Sequence, residues 1–160
     1  MLAEPKLERR AAKRSVGIRE VMPMNEIAEK VGKLFDEMAV WVEQRGLKLN
    51  GAPFIRYHVI DMDGDLEIEV GYPVDGEVSG DNRVEVGTIP TGRYLTAIYT
   101  GDYPNLMGAT ADIMAWAEQH KVAWDVHGNM WGGRFEFYIT DPMQEPDSSK
   151  WQTEIAILTA

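Results

Sequence analysis

Apolar residues recur at three- and four-residue steps after Pro23: Ile27, Val31, Leu34, Met38, Trp41 and Val42. That period predicts an amphipathic helix, with Asn25 as its N-cap and Gly46 as its stop. A second stripe, Leu106, Ala109, Ile113 and Trp116, predicts a helix from Asp102, its N-cap, through His120. Between the helices the period changes to two. Leu66, Ile68, Val70 and Tyr72 alternate with Glu67 and Glu69, the mark of a strand with one buried and one wet face. Further strands are predicted over residues 6–21, bent at Gly17, and over 54–62, 83–89, 94–100, 134–139 and 151–158. Asp63-Gly64-Asp65 is the tight turn of a hairpin. Residues 121–133, with Trp124, His127 and Trp131, read as a long loop.

The order strand, helix, strand, strand occurs twice. Trp41-Val42-Glu43-Gln44-Arg45 matches Trp116-Ala117-Glu118-Gln119-His120, and Phe54 and Tyr57 match Phe135 and Tyr138. We therefore expect a single domain over 1–160 built from pseudo-repeats of about 6–76 and 83–160. The expected class is α+β: duplicated strand–helix–strand–strand modules, one antiparallel sheet, two main helices on one face and a cleft between them.

Composition narrows the function. A chain of 160 residues with 44% hydrophobic content and five Trp can bury a core. No apolar run approaches a membrane span, and the charged start lacks the apolar region of a signal peptide, so a cytoplasmic protein without a membrane partner is expected. With no cysteine, disulfides and thiolate metal sites are excluded. Net charge is −10. Residues 1–15 hold five basic and two acidic residues, +3, which leaves −13 on the remainder. An acidic body disfavours nucleic acid as a direct partner. His58, His120 and His127 have no metal-ligand spacing. No phosphate loop, HExxH or Gly-x-Ser-x-Gly is present, so no cofactor is expected.

The chemistry concentrates in Arg134-Phe135-Glu136-Phe137-Tyr138-Ile139. Phe135, Phe137 and Ile139 make one face apolar; Arg134, Glu136 and Tyr138 form the other. A carboxylate among aromatics on a sheet strand either faces water or has a cleft kept for something that meets it. In the internal match Ile55 stands where Glu136 stands, so only one half carries the charge. Tyr57 and Tyr138 fit either a core role or a cleft wall. Trp41 and Trp116 read as helix-to-sheet core, and Trp131 or Trp124 as a cover for the cleft.

Several segments together resemble the GyrI-like family, which also supplies the effector-binding domain of multidrug-sensing MerR-type and some AraC-type regulators. They are Gly51-Ala52-Pro53 with Tyr57, Ile89-Pro90-Thr91-Gly92, Thr100-Gly101-Asp102-Tyr103, Trp116, Phe135-Glu136-Phe137-Tyr138 with Asp141-Pro142, and Trp151-Gln152-Thr153-Glu154-Ile155. The resemblance runs from about Lys6 to Leu158, with no DNA-binding domain expected. It implies binding of bulky, lipophilic or cationic aromatic small molecules. Glu136 would be the charge partner, with Tyr57, Tyr138, Tyr99, Tyr103 and Trp131 around it. The same resemblance allows two alternatives. One is hydrolysis of cyclopropane-bearing DNA alkylators through Glu136; the other is a protein partner such as gyrase.

Overall fold

The computed structural model describes residues 1–160. Ten strands form one antiparallel sheet: β1 (Lys6–Arg10), β2 (Lys13–Pro23), β3 (Phe54–Ile60), β4 (Asp65–Pro73), β5 (Glu85–Ile89), β6 (Gly92–Thr100), β7 (Val126–His127), β8 (Met130–Trp131), β9 (Arg134–Tyr138) and β10 (Gln152–Leu158). Eight run in the order β1-β6-β10-β9-β3-β4-β2-β5, while β7 and β8 form a small hairpin joined to β3. The two main helices are α1 (Ile27–Gln44) and α2 (Leu106–Gln119). The fold is the α+β class expected.

The sheet curls until its ends nearly meet. β1 lies at one end of the strand order and β2 next to the other end, yet only Ala11 and Ala12 separate them in sequence. Three peptide steps span at most about 11 Å. The expected strand over 6–21 is thus one ladder bent at a corner. Lys13 pairs with Ile89 and Arg10 with Gly92, so the register continues across the bend. The corner falls at Ala11-Ala12, opposite Pro90-Thr91, and not at Gly17. Pro90 has no N–H for the ladder, which lets the two ends turn away from each other there. Gly17 has a different task. A side chain on it would strike the carboxylate of Glu69, which lies buried on the face away from the helices, 2.7 Å from His58.

Register shows which residues share a face. Across the sheet run three rows: Tyr72, Pro53, Tyr138, Thr153 and Tyr99; Val70, Ile55, Glu136, Ile155 and Ala97; and Ile68 with Tyr57 beside Arg134, Ile157 and Leu95. All stand on the helix side. α1 packs Leu34, Met38, Trp41 and Val42 on Ile55, Ile68 and Val70. α2 packs Leu106, Ala109, Ile113 and Ala117 on Leu95, Ala97, Ile155 and Ile157. The other face is sealed by Phe54, Phe135, Tyr94, Ile89, Ala156 and Leu158, with Phe137 at its margin. The alternation read in residues 134–139 is therefore real, with its aromatic side in a separate core. The central strands β3 and β9 lie between the territories of the two helices.

Local details depart from expectation. Asn25 does not cap α1. Pro23 is extended and starts a 3-10 turn over Met24–Glu26, so Asn25 falls inside the turn. Asp102 precedes a similar turn over Tyr103–Asn105, but its carboxylate accepts from the Asn105 side chain at 2.6 Å, not from backbone. The expected loop 121–133 contains the β7–β8 hairpin, whose two-residue strands are too short to show a period. Trp41 is buried and its indole N–H donates to Asp81, as suits a core residue. Trp116 is only partly buried and stacks on His120 at 3.8 Å.

Both helices end with the same pair of backbone bonds. At α1, Gly46 N–H donates to Glu43 and Leu47 N–H to Val42; at α2, Lys121 donates to Glu118 and Val122 to Ala117. This is the Schellman arrangement, which needs a left-handed residue. Gly46 meets it at φ 59° and Lys121 at φ 57°. A lysine there carries a Cβ penalty of about 1 kcal/mol. Urea denaturation should show Lys121→Gly stabilising the protein by up to about 1 kcal/mol and Gly46→Ala destabilising it by a similar amount.

Candidate functional site

Glu136 lies at the middle of the central row, with Ile55 opposite it on β3 and Ile155 opposite it on β10. Antiparallel pairing places both aliphatic side chains about 5 Å away on the same face. Tyr57 comes from the next row of β3, and Tyr138 stands two residues on along β9. Both hydroxyls donate to one oxygen, Glu136 Oε1, at 3.0 Å from Tyr57 and 2.6 Å from Tyr138. Oε2 has no protein partner and is not sealed from the surface. The carboxylate thus has one oxygen held and one presented.

Burial among aliphatic residues raises the Glu136 pKa above its ordinary 4.5, against the opposing pull of the Tyr138 and Tyr57 hydroxyls and the Arg134 charge. The tyrosines respond in kind. Burial, then the neighbouring carboxylate, pushes both hydroxyls well above 10, so they remain donors.

Further aromatic rings pack against Tyr138. Phe35 of α1 meets the Tyr138 ring edge-on at 5.6 Å, and Tyr103, just before α2, meets it edge-on at 5.5 Å. Tyr103 also lies 4.8 Å from Trp151. Tyr138 touches the packing of both helices, so it sits where their territories join. Asp141 bears on the outer tyrosines: after burial, its charge is the next cause that raises the hydroxyls of Tyr72 and Tyr103.

The residues singled out from sequence divide into two groups. Glu136, Tyr57, Tyr138 and Tyr103 are brought together. Tyr99 shares the face but lies two strands from Tyr138, 5% exposed, with its hydroxyl donated to the Asp102 carbonyl at 2.9 Å. Trp131 does not cover Glu136 directly; its ring lies 4.4 Å from the Arg134 guanidinium and 6.4 Å from Trp124. Sequence reasoning passed over Phe35, one position beside Leu34 on α1, and Arg134, two positions before Glu136 on the same strand face. The spacing signalled both. A cavity of about 480 Å³ beside the end of α1, lined by Val42, Leu47 and Tyr72 among others, does not include Glu136.

A curled antiparallel sheet with two helices on one face, and a carboxylate braced by tyrosines where their territories join, defines an α+β module. A family model described as the GyrI-like small molecule binding domain matches residues 3–159. The chain belongs to that family. Among solved structures, EcmrR in its DNA complex is similar at TM-score 0.82 and 21% identity, over 98% of this chain and 57% of that one. This chain therefore spans little more than half of that relative. The EcmrR C-terminal domain alone aligns at TM-score 0.74 and 20% identity, over 98% and 97%. SAV2435 bound to tetraphenylphosphonium aligns at 0.67 and 18%, over 99% and 94%. A hydrolase from Listeria innocua aligns at 0.62 and 11%, over 98% and 92%. At these identities the likeness is one of fold. No curated protein sequence matches the chain.

A carboxyl whose pKa is raised by folding favours the native state when protonated. That contribution is complete below the unfolded pKa of 4.5 and is lost as pH rises through the higher folded value. Gln in its place keeps an acceptor for the tyrosines and carries no charge. Thermal melts should therefore show Glu136→Gln raising Tm by a few degrees at pH 7.5 and leaving it unchanged at pH 4. An equal gain at both would refute the burial cost.

Proposed function

We propose that this domain binds bulky, apolar aromatic small molecules, cations in preference, with Glu136 as their charge partner. The observation that carries this reading is the split carboxylate: two tyrosyl hydroxyls fix Oε1, while Oε2 stays unpaired beneath aromatic side chains. Fixing one oxygen orients the other at no further entropic cost on binding. A lipophilic cation loses little hydration on entering such a site, and it gains Coulomb attraction that water would largely screen. Tyr57, Tyr138, Tyr103 and Phe35 add cation–π attraction of about 0.5–2 kcal/mol per well-placed ring. Family membership supports small-molecule binding. The SAV2435 complex supports the ligand class, because tetraphenylphosphonium is an aromatic cation.

Phe35 and Tyr103 both rest on Tyr138, so a bulky ligand that enters beside Tyr138 displaces these rings. Each contact is an edge-on aromatic pair, worth about 0.5–1.5 kcal/mol beyond its buried area, a cost a large ligand can offset. Ionised Glu136 is the binding form. Affinity for a cation should thus fall with acidification, and the fall should begin above the ordinary carboxylate range.

A second reading is hydrolysis, favoured by the raised pKa of Glu136. A carboxylate of that kind accepts a proton from water more readily near neutral pH than an exposed one does. The fold likeness to a Listeria innocua hydrolase is compatible with it.

Calorimetric titration with tetraphenylphosphonium and its anionic isostere tetraphenylborate separates charge from shape. The account expects the cation to bind and the anion not to, with Glu136→Gln weakening the cation at least tenfold at pH 7.5. Equal affinity for the two ions, or an unchanged variant, would refute the charge-partner role. Mass spectrometry after incubation with a cyclopropane-bearing alkylator decides the second reading. Hydrated product that is lost in Glu136→Gln supports it; intact compound excludes it for that substrate class.

A further inference from the structure

Glu136 is not the only charge without an ionic partner on this face of β9. Arg134 stands on the same face of β9, two residues away, a strand rise of about 7 Å. Its guanidinium has five N–H donors, and none makes a hydrogen bond or an ion pair in the protein. Its nitrogens are not among the sealed polar atoms, so they open to the surroundings. Trp131 lies over one side at 4.4 Å, and the Tyr57 ring is 6.0 Å away. The titratable groups that face it are Tyr57 and Glu136, and burial costs it enough to lower its pKa. Glu136 does not neutralise it directly, since no ion pair forms between them and Oε1 is committed to the two tyrosines.

Every other arginine that is similarly withdrawn from water here has partners. Arg10 bridges Glu8 and Glu154 at 2.8 Å. Arg56 donates to the carbonyls of Thr88 and Gly132 at 3.1 and 3.0 Å. Arg56 too lies over a ring, Phe135 at 5.2 Å, and its buried Nε is unpaired, but of these three Arg134 alone has no hydrogen-bond partner at all. A half-buried cation without an anion is costly, and a guanidinium is shaped to take a carboxylate by two parallel bonds.

We infer that the cleft is built for a dipolar ligand: an aromatic compound carrying a cationic group for Glu136 and, one strand step away, a carboxylate or similar planar anion for Arg134. The inference rests on the reading of Glu136 as a cation partner and adds the second pole. A simple monocation at Glu136 leaves Arg134 unpaired and repels it. A ligand with both charges satisfies both groups and adds no net charge to the cleft. Trp131 then acts through Arg134, holding the guanidinium flat against its ring and pointed along the cleft.

Rhodamine B and its ethyl ester test this, because they share a cationic xanthene and differ only in a carboxylate. Fluorescence anisotropy should show wild-type protein binding rhodamine B about tenfold tighter than the ester, the scale of one charge-assisted contact. In Arg134→Met that preference should vanish, with rhodamine B weakened and the ester unchanged or tighter; Arg134→Lys should keep part of it. Circular dichroism melts establish that each variant is folded. A wild type that binds the ester as well as rhodamine B overturns the inference. So does a preference that survives Arg134→Met. If Arg134→Met tightens both dyes, Arg134 is an obstruction and not a contact, which also overturns it. Rhodamine B binding that is lost in Glu136→Gln but indifferent to Arg134→Met leaves the cation reading standing and removes only this one. Failure of both dyes to bind wild type removes both.

Discussion

Two tyrosyl hydroxyls on one carboxylate oxygen are the interaction around which this domain is arranged. A glutamate between Ile55 and Ile155 would be expelled from most sheets, because water solvates a carboxylate far better than a methyl group does. Tyr138 and Tyr57 compensate in part. Hydrogen bonds to a charged acceptor contribute about 1.5–3 kcal/mol each, and burial still leaves the pKa raised. The balance therefore remains against the charge. The surroundings leave room for it. The sheet curls, the helices sit over its two halves, and the strands between them bear polar groups that neither helix covers completely.

Separation of the two faces makes that arrangement affordable. Phe54, Phe135, Tyr94 and Leu158 give the sheet an apolar core that owes nothing to the cleft. The helices supply two more, one for each half of the sheet. Of the rings that rest on Tyr138, Phe35 packs against the core under α1, while Tyr103 belongs to none of the three. Tyr138 itself meets both helix cores and the carboxylate at once. It joins the packing of the two helices to the carboxylate.

Much of this was legible in the residues. The helices showed themselves through three- and four-residue spacing, and the strands through alternation and turn residues. The carboxylate was conspicuous because Phe135 and Phe137 flank it. What escaped had physical causes. The bend at Ala11-Ala12 depends on Pro90, nearly eighty residues away, so no local signal near residue 11 announces it. The β7–β8 hairpin is too short for a period. Asn25 has the chemistry of a cap, but Pro23 begins the turn before it. Tyr99 and Tyr103 were indistinguishable by type. Only the register and the path of the chain before α2 separate a hydroxyl tied to Asp102 from a ring resting on Tyr138. Arg134 was visible on the right face but had no evident role until its lack of partners was known.

The central claim is that Glu136 Oε2 is where a cationic aromatic ligand meets the protein. A crystal structure of the complex with tetraphenylphosphonium tests it most directly. The account predicts the cation against Oε2, with Tyr57 and Tyr138 still donating to Oε1 and with Phe35 and Tyr103 swung aside. A cation bound beside Tyr72 at the end of α1, with Phe35 and Tyr103 still resting on Tyr138, would contradict it.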